Sequence, residues 1–258
     1  MAFYDWVSEN AVDPGVRPGP VKIGWLLDSD RGGVVFDDPE RVRSVELNRD
    51  HAKSASRCPA VINVESRYFQ VKCPFDMRLK LKRGEDGKYG LANLLGDKSP
   101  VRPKKLRELL TVVSEAEWRL PDRPTIQILT PYIFVSDEPV YMSQLPPFFH
   151  FQKTPWPGTL FCGRVPIHVW PRQLVWAFEW VDIERELVLT RGEPWFYVQF
   201  ETLPQERPVQ LIEAEETPEL RAYLDQITGA VNYVNQTFSL FKTAEKRRPT
   251  RLVSPRER

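Results

Sequence analysis

Three histidines stand among the 258 residues, His51, His150 and His168, and two of them are placed where a metal could use them. Imidazole and carboxylate together suit iron or another transition metal, and two histidines plus one acid leave positions open for oxygen and substrate. His150 (FFHFQ) and His168 (PIHVW) lie in strand-like surroundings, with Asp137, Glu138 and Glu179 as the nearest candidate acids. His150 and His168 are therefore the candidate metal ligands. The paired His-x-Asp or His-x-His is absent, since Gln152 stands two residues after His150. Histidines facing a polar rim are the competing reading.

Other chemistry is less well supplied. Cys58 and Cys73 lie fifteen residues apart, each followed by proline, and no CxxC pair offers a zinc site. A cysteine nucleophile needs a positioned base, which the local sequence does not supply. Neither a P-loop nor a GxGxxG turn occurs. These residues leave open whether the chain is an enzyme.

Tryptophan is the other residue type with binding chemistry. Five of the eight lie between Trp156 and Trp195, and Trp156 (PWP), Trp170 (WP) and Trp195 (PW) each adjoin a proline. An indole held by stiff backbone can form a platform for a ring, a sugar or a partner's side chain, or it can plug the mouth of a barrel. Trp156, Trp170 and Trp195 are the candidate ligand-binding residues.

Composition narrows the setting. Hydrophobic residues make up 41% of the chain, enough for a core, and 36 basic against 35 acidic residues give a net charge of +1. That balance argues against a body-wide electrostatic grip on nucleic acid or anionic lipid. Three cysteines are too few for a disulfide framework, which points to a reducing compartment. The opening MAFYDWVSENAVDPG carries acids where a signal peptide needs an apolar run, and no segment reaches the roughly 20 apolar residues of a spanning helix. The expectation is a cytoplasmic protein, or a virion component if phage-encoded, away from membranes.

The elements that must position these residues are mostly strands. Twenty-four prolines favour loops, edge strands and extended segments. Residues 1–20 read as an extended arm, Val21–Leu27 as a strand, Asp28–Gly33 as a turn and Asp37–Ala52 as ambiguous. Within Cys58–Leu81, Phe69, Val71 and Cys73, then Met77, Leu79 and Leu81, alternate with polar residues, the period of half-buried strands. Gly84 and Gly87 supply a turn. Pro103–Trp118 reads as a helix with Leu106, Leu109, Leu110 and Val113 on one face. Thr125–Leu129, Tyr132–Val135, Val140–Met142, Leu174–Val181, Glu186–Thr190 and Trp195–Glu201 read as strands, with Trp176, Phe178 and Trp180 sharing a face. Closely spaced short strands form sandwiches or barrels.

Thr217 and Pro218 begin a second helix, read as continuous over 217–245. Leu220, Leu224, Ile227, Val231, Val234, Phe238 and Phe241 make a heptad-like seam that must dock on the chain's own sheet or pair with another chain, and Gly229 weakens it. Residues 246–258 form a basic tail with six Lys and Arg against Glu257, either solvated or a contact to phosphate or an acidic partner.

Three stretches, Cys58–Leu81 (CPAVINVESRYFQVKCPFDMRLKL), Pro157–Trp180 (PGTLFCGRVPIHVWPRQLVWAFEW) and Arg191–Glu201 (RGEPWFYVQFE), together resemble a family of bacterial and phage proteins catalogued as a domain of unknown function. The shared pattern is a CP-led strand pair, a Pro-Gly strand leading into a tryptophan strand, and a G-E-P turn into an aromatic strand. The resemblance spans residues 55 to 205 and implies a β-rich, cupin-like or sandwich core. It carries no activity and no site residue.

The fold expected is one mainly β domain over 21–245, a sandwich or a cupin-like or jelly-roll-like barrel, with two helices; α+β is the alternative. The function expected is non-catalytic binding or assembly, with a protein partner or a second copy, through an aromatic surface and the C-terminal helix. A cupin-like iron oxygenase and a small-molecule binding module are the other readings. No cofactor is expected outside the oxygenase reading, and nucleic acid is not expected except through the basic tail.

Overall fold

The computed structural model describes residues 19–28, 34–43, 53–54, 57–85, 87–203, 205–230 and 237–256. The arm at 1–18, the turn residues 29–33, His51 with the rest of 44–52, and the seam residues Val231 and Val234 lie outside them.

In chain order the strands are β1 (Val21–Leu27), β2 (Glu40–Arg41), β3 (Tyr68–Lys72), β4 (Met77–Arg83), β5 (Tyr89–Asn93), β6 (Leu110–Val112), β7 (Thr125–Ser136), β8 (Val140–Leu145), β9 (Gly158–Leu160), β10 (Gly163–Pro166), β11 (Gln173–Trp180), β12 (Leu187–Leu189), β13 (Pro194–Thr202) and β14 (Val209–Glu213). The helices are α1 (Pro59–Arg67), α2 (Pro103–Leu109), α3 (Pro218–Ala230) and α4 (Thr237–Arg247). The protein is mainly β, with 38% strand and 21% helix, and its curled sheets form a half-barrel. The first sheet runs β14-β1-β7-β11-β9, with β6 also on β7; the second runs β10-β8-β13-β3-β2; the third runs β12-β4-β5.

Alternation along each strand decides what it buries. Trp176, Phe178 and Trp180 of β11 share one core with Phe196, Val198 and Phe200 of β13 and with Leu79 and Leu81 of β4. The three sheets thus close on a single aromatic interior. β1 and β7 are covered on both faces. Ile23, Trp25, Tyr132 and Phe134 enter that interior, while Leu26, Ile133 and Val135 meet Leu220, Leu224 and Ile227 of α3 in a second cluster. Gly24 permits the approach on this side: a Cβ there would lie 2.8 Å from Val135 Cγ2 and 2.9 Å from Ala214 Cβ.

The structure corrects four sequence expectations. The helix expected over 103–118 stops at Leu109, because Leu110–Val112 pair with Ile126–Ile128 of β7. Thr111, Val112 and Val113 are β-branched in succession, which favours the strand. The first CP of the resemblance leads helix α1, with Pro59 in its first turn, and the alternation starts only at β3. The helix expected over 217–245 is two helices. Tyr223 Oη lies 3.1 Å from the Ala244 carbonyl, whereas a continuous helix would separate those residues by about 30 Å. The basic tail is docked in part: Leu252 and Val253 are buried, Arg248 donates to the Ser136 and Asp137 carbonyls, and Arg256 pairs with Glu213. Among the described residues no helix is long and apolar enough to cross a membrane.

Candidate functional site

The residues singled out for metal chemistry do not assemble. His150 Nε2 lies 3.8 Å from Glu193 Oε2, in the turn before β13. His168 Nδ1 lies 3.1 Å from the Val140 carbonyl, and its ring packs edge-on against Tyr141. Burial pushes the His168 imidazole below its ordinary value, the more so beside Arg248. Each candidate acid has other work. Asp137 accepts the Leu252 and Val253 amides, Glu138 pairs with Arg207, and Glu179 accepts Arg119 at 2.6 and 2.8 Å and Arg123 at 3.3 Å. The Arg119 hydrogen bonds hold the Glu179 carboxyl below its ordinary range, although the side chain is only 1% exposed. Among the described residues no group of three His, Cys, Asp or Glu side chains could hold a metal ion. Cys73 is buried and its thiol is pushed up to about 12 by that burial, which suits a core residue and not a nucleophile.

The tryptophan platform is also absent. Trp170 and Trp195 are buried. Trp195 tilts against Trp176 at 5.8 Å between ring centroids, and Trp170 meets Phe241 edge-on at 5.3 Å. Trp156 is half-buried, its ring edge-on to Trp176 and Phe178. Two of the three indoles thus lie in the core and the third packs against it.

The aromatic surface lies instead in the loop between β8 and β9. Pro146 and Pro147 end β8, since neither can donate to a further ladder bond. The loop then turns tightly, with the Phe148 amide donating to Pro146 and the His150 amide to Pro147. Phe148 packs edge-on against Tyr68 of β3 at 5.5 Å and Tyr197 of β13 at 5.3 Å, and touches Phe149 at 4.6 Å. These contacts anchor the base of the loop on the second sheet. Even so, all three phenylalanines leave much of their surface in water: Phe148, Phe149 and Phe151 are 52%, 56% and 88% exposed. The run FFHF between prolines was the available signal. A sequence reading that takes aromatic residues as core hides it.

No family model, curated protein or solved structure matches the chain.

Proposed function

We propose that this is a binding protein whose Phe148–Phe151 loop inserts into an apolar groove of a partner protein. The observation that carries it is the exposure of three phenylalanines within four residues on a braced loop. Large aromatics left in water in one place mark an interaction site. At roughly 200 Å² per side chain the three present roughly 400 Å². A stable flat interface buries about 800 Å² on each partner. The patch is therefore too small for a face-to-face pair of copies, and fits the anchor of a loop swallowed by a groove, where a few aromatic residues carry most of the binding.

The test places a photo-reactive phenylalanine analogue at Phe151, with exposed Val35 as the control position. The expected result is a crosslink from 151 alone to a different protein, lost on Phe149→Ser. An adduct only to a second copy would overturn the reading in favour of self-assembly. No adduct at 151 would overturn it outright.

A further inference from the structure

We infer that the cleft between β5 and the segment following β6 binds single-stranded nucleic acid. The near-zero net charge conceals a separation: residues 78–107 hold ten Lys and Arg against Glu85, Asp86 and Asp97, while the rest of the chain holds 26 basic against 32 acidic residues. Strand β4 sorts the charges by alternation, with Leu79 and Leu81 in the core and Arg78, Lys80 and Lys82 on the other side. Arg78, Lys80 and Lys105 are matched by Glu186, Glu184 and Glu108. Lys82, Arg83 and Lys88 on the β4–β5 hairpin, and Arg102, Lys104 and Arg107 around α2, are all exposed.

The cleft has a volume of about 650 Å³ and is lined by Arg83, Lys88, Tyr89 and Trp118, with Ser114 and Glu115 among its other walls. Tyr89 and Trp118 are half-buried with ring centroids 5.7 Å apart, and the Arg83 guanidinium lies 5.7 Å over Tyr89. Trp118 is fixed by its Nε1–H, which donates to the Val113 carbonyl at 2.9 Å.

Charge complementarity calls for an anion. The cations extend from the hairpin to α2, which runs straight into β6, so their spread exceeds what one phosphate needs. Two rings set among them add a stacking surface. Cations that follow a phosphate backbone beside rings that stack its bases are how single strands are held without regard to sequence. Ser114 and Glu115 offer acceptors to the N–H edge of a stacked base, N3–H in thymine. A sulfated polymer or an acidic peptide would use the charge and leave the rings idle.

The experiment is fluorescence anisotropy of the full chain with a labelled oligothymidylate of about 20 nucleotides. Binding should weaken at least about tenfold between about 50 and about 200 mM salt. Lys82→Glu with Lys88→Glu should weaken it about tenfold and flatten the salt dependence. Tyr89→Ala and Trp118→Ala should weaken it with the salt dependence kept, and Lys22→Glu, an exposed lysine on β1, should change nothing. Trp118 also braces Val113, so the lysine pair, which is exposed, carries the test if Trp118→Ala unfolds. Absence of binding at low salt, binding indifferent to Lys82 and Lys88, or heparin bound as tightly with no effect of Tyr89→Ala would each overturn the assignment.

Discussion

The Tyr223 hydroxyl lies 3.1 Å from the Ala244 carbonyl and 2.8 Å from the Val169 carbonyl, so the one phenol proton of α3 is shared between α4 and the loop before β11. Burial pushes the phenol up to about 12, so it keeps its proton and remains a donor. Tyr223→Phe should cost about 1–2 kcal/mol. Ile227→Asp, at a buried position of the same cluster, should cost more and lower the melting temperature of the monomer itself. Unchanged melting in both variants would mean that the helical pair does not brace the sheet.

Trp176 and Trp180 are both fully buried on one face of β11, but their indole N–H groups differ. Trp180 donates to the Asp182 carbonyl at 2.9 Å, whereas Trp176 Nε1 has no partner. Alanine at either position should cost about 3–5 kcal/mol. Phenylalanine separates them: Trp180→Phe should be worse than Trp176→Phe by about 1 kcal/mol, because only the first loses a hydrogen bond. Denaturant titration of the two variants decides it, and equal losses would refute the assignment.

Acid should weaken the fold in two windows. Folded His168 titrates below its ordinary 6.5, so the unfolded chain takes up its proton first. Stability from this source is complete above 6.5 and falls as the pH drops toward the folded value. Glu179, held down by Arg119 and Arg123, gives stability that is complete above its ordinary 4.5 and is lost as the pH falls through its lower folded value. His168→Gln should flatten the change in urea midpoint between about pH 7.5 and about pH 5.5. Glu179→Gln should flatten the change at lower pH and cost about 2 kcal/mol near neutrality, since it trades a charge-assisted pair for a buried amide. The same slope in wild type and His168→Gln would remove His168 as the source.

Gly158 begins β9 where that strand meets β11. A Cβ there would lie 2.0 Å from the Glu179 carbonyl oxygen and 2.9 Å from Phe178 Cζ. The nearest obstacle is backbone, so Gly158→Ala must displace β9 and should cost at least about 2 kcal/mol by thermal melting. A neutral substitution would show that the edge strand yields freely.

The strands were legible where alternation or β-branching acts locally. Val21–Leu27, Leu174–Val181 and Trp195–Glu201 appear within one or two residues of β1, β11 and β13. The limits of α2 and the break between α3 and α4 were not, because they depend on partners far away: β7 takes Leu110–Val112, and the Val169 and Ala244 carbonyls take Tyr223. The surroundings of the candidate site residues were hidden for a similar reason. Tryptophan beside proline reads alike in a core and on a platform, and only the packing of Trp156 and Trp195 against Trp176 separates the two. His150 and His168 each look like a ligand until Glu193 and Val140 are seen beside them.

Strand β1 lies between β7, which runs antiparallel to it, and β14, which runs parallel, so Val21 sits beside Val209. During synthesis the earlier strand leaves the ribosome with neither neighbour made. Its apolar VKIGWLL stays unpaired until β7 arrives, and its second edge is open until nearly two hundred residues have followed. Contacts of such sequence separation are slow to form and leave strand edges exposed to other chains. A chain cut short before Val209 would carry that edge still free. Pairing through the edges of β1 is therefore a hazard of incomplete chains, since both edges are taken in the finished fold.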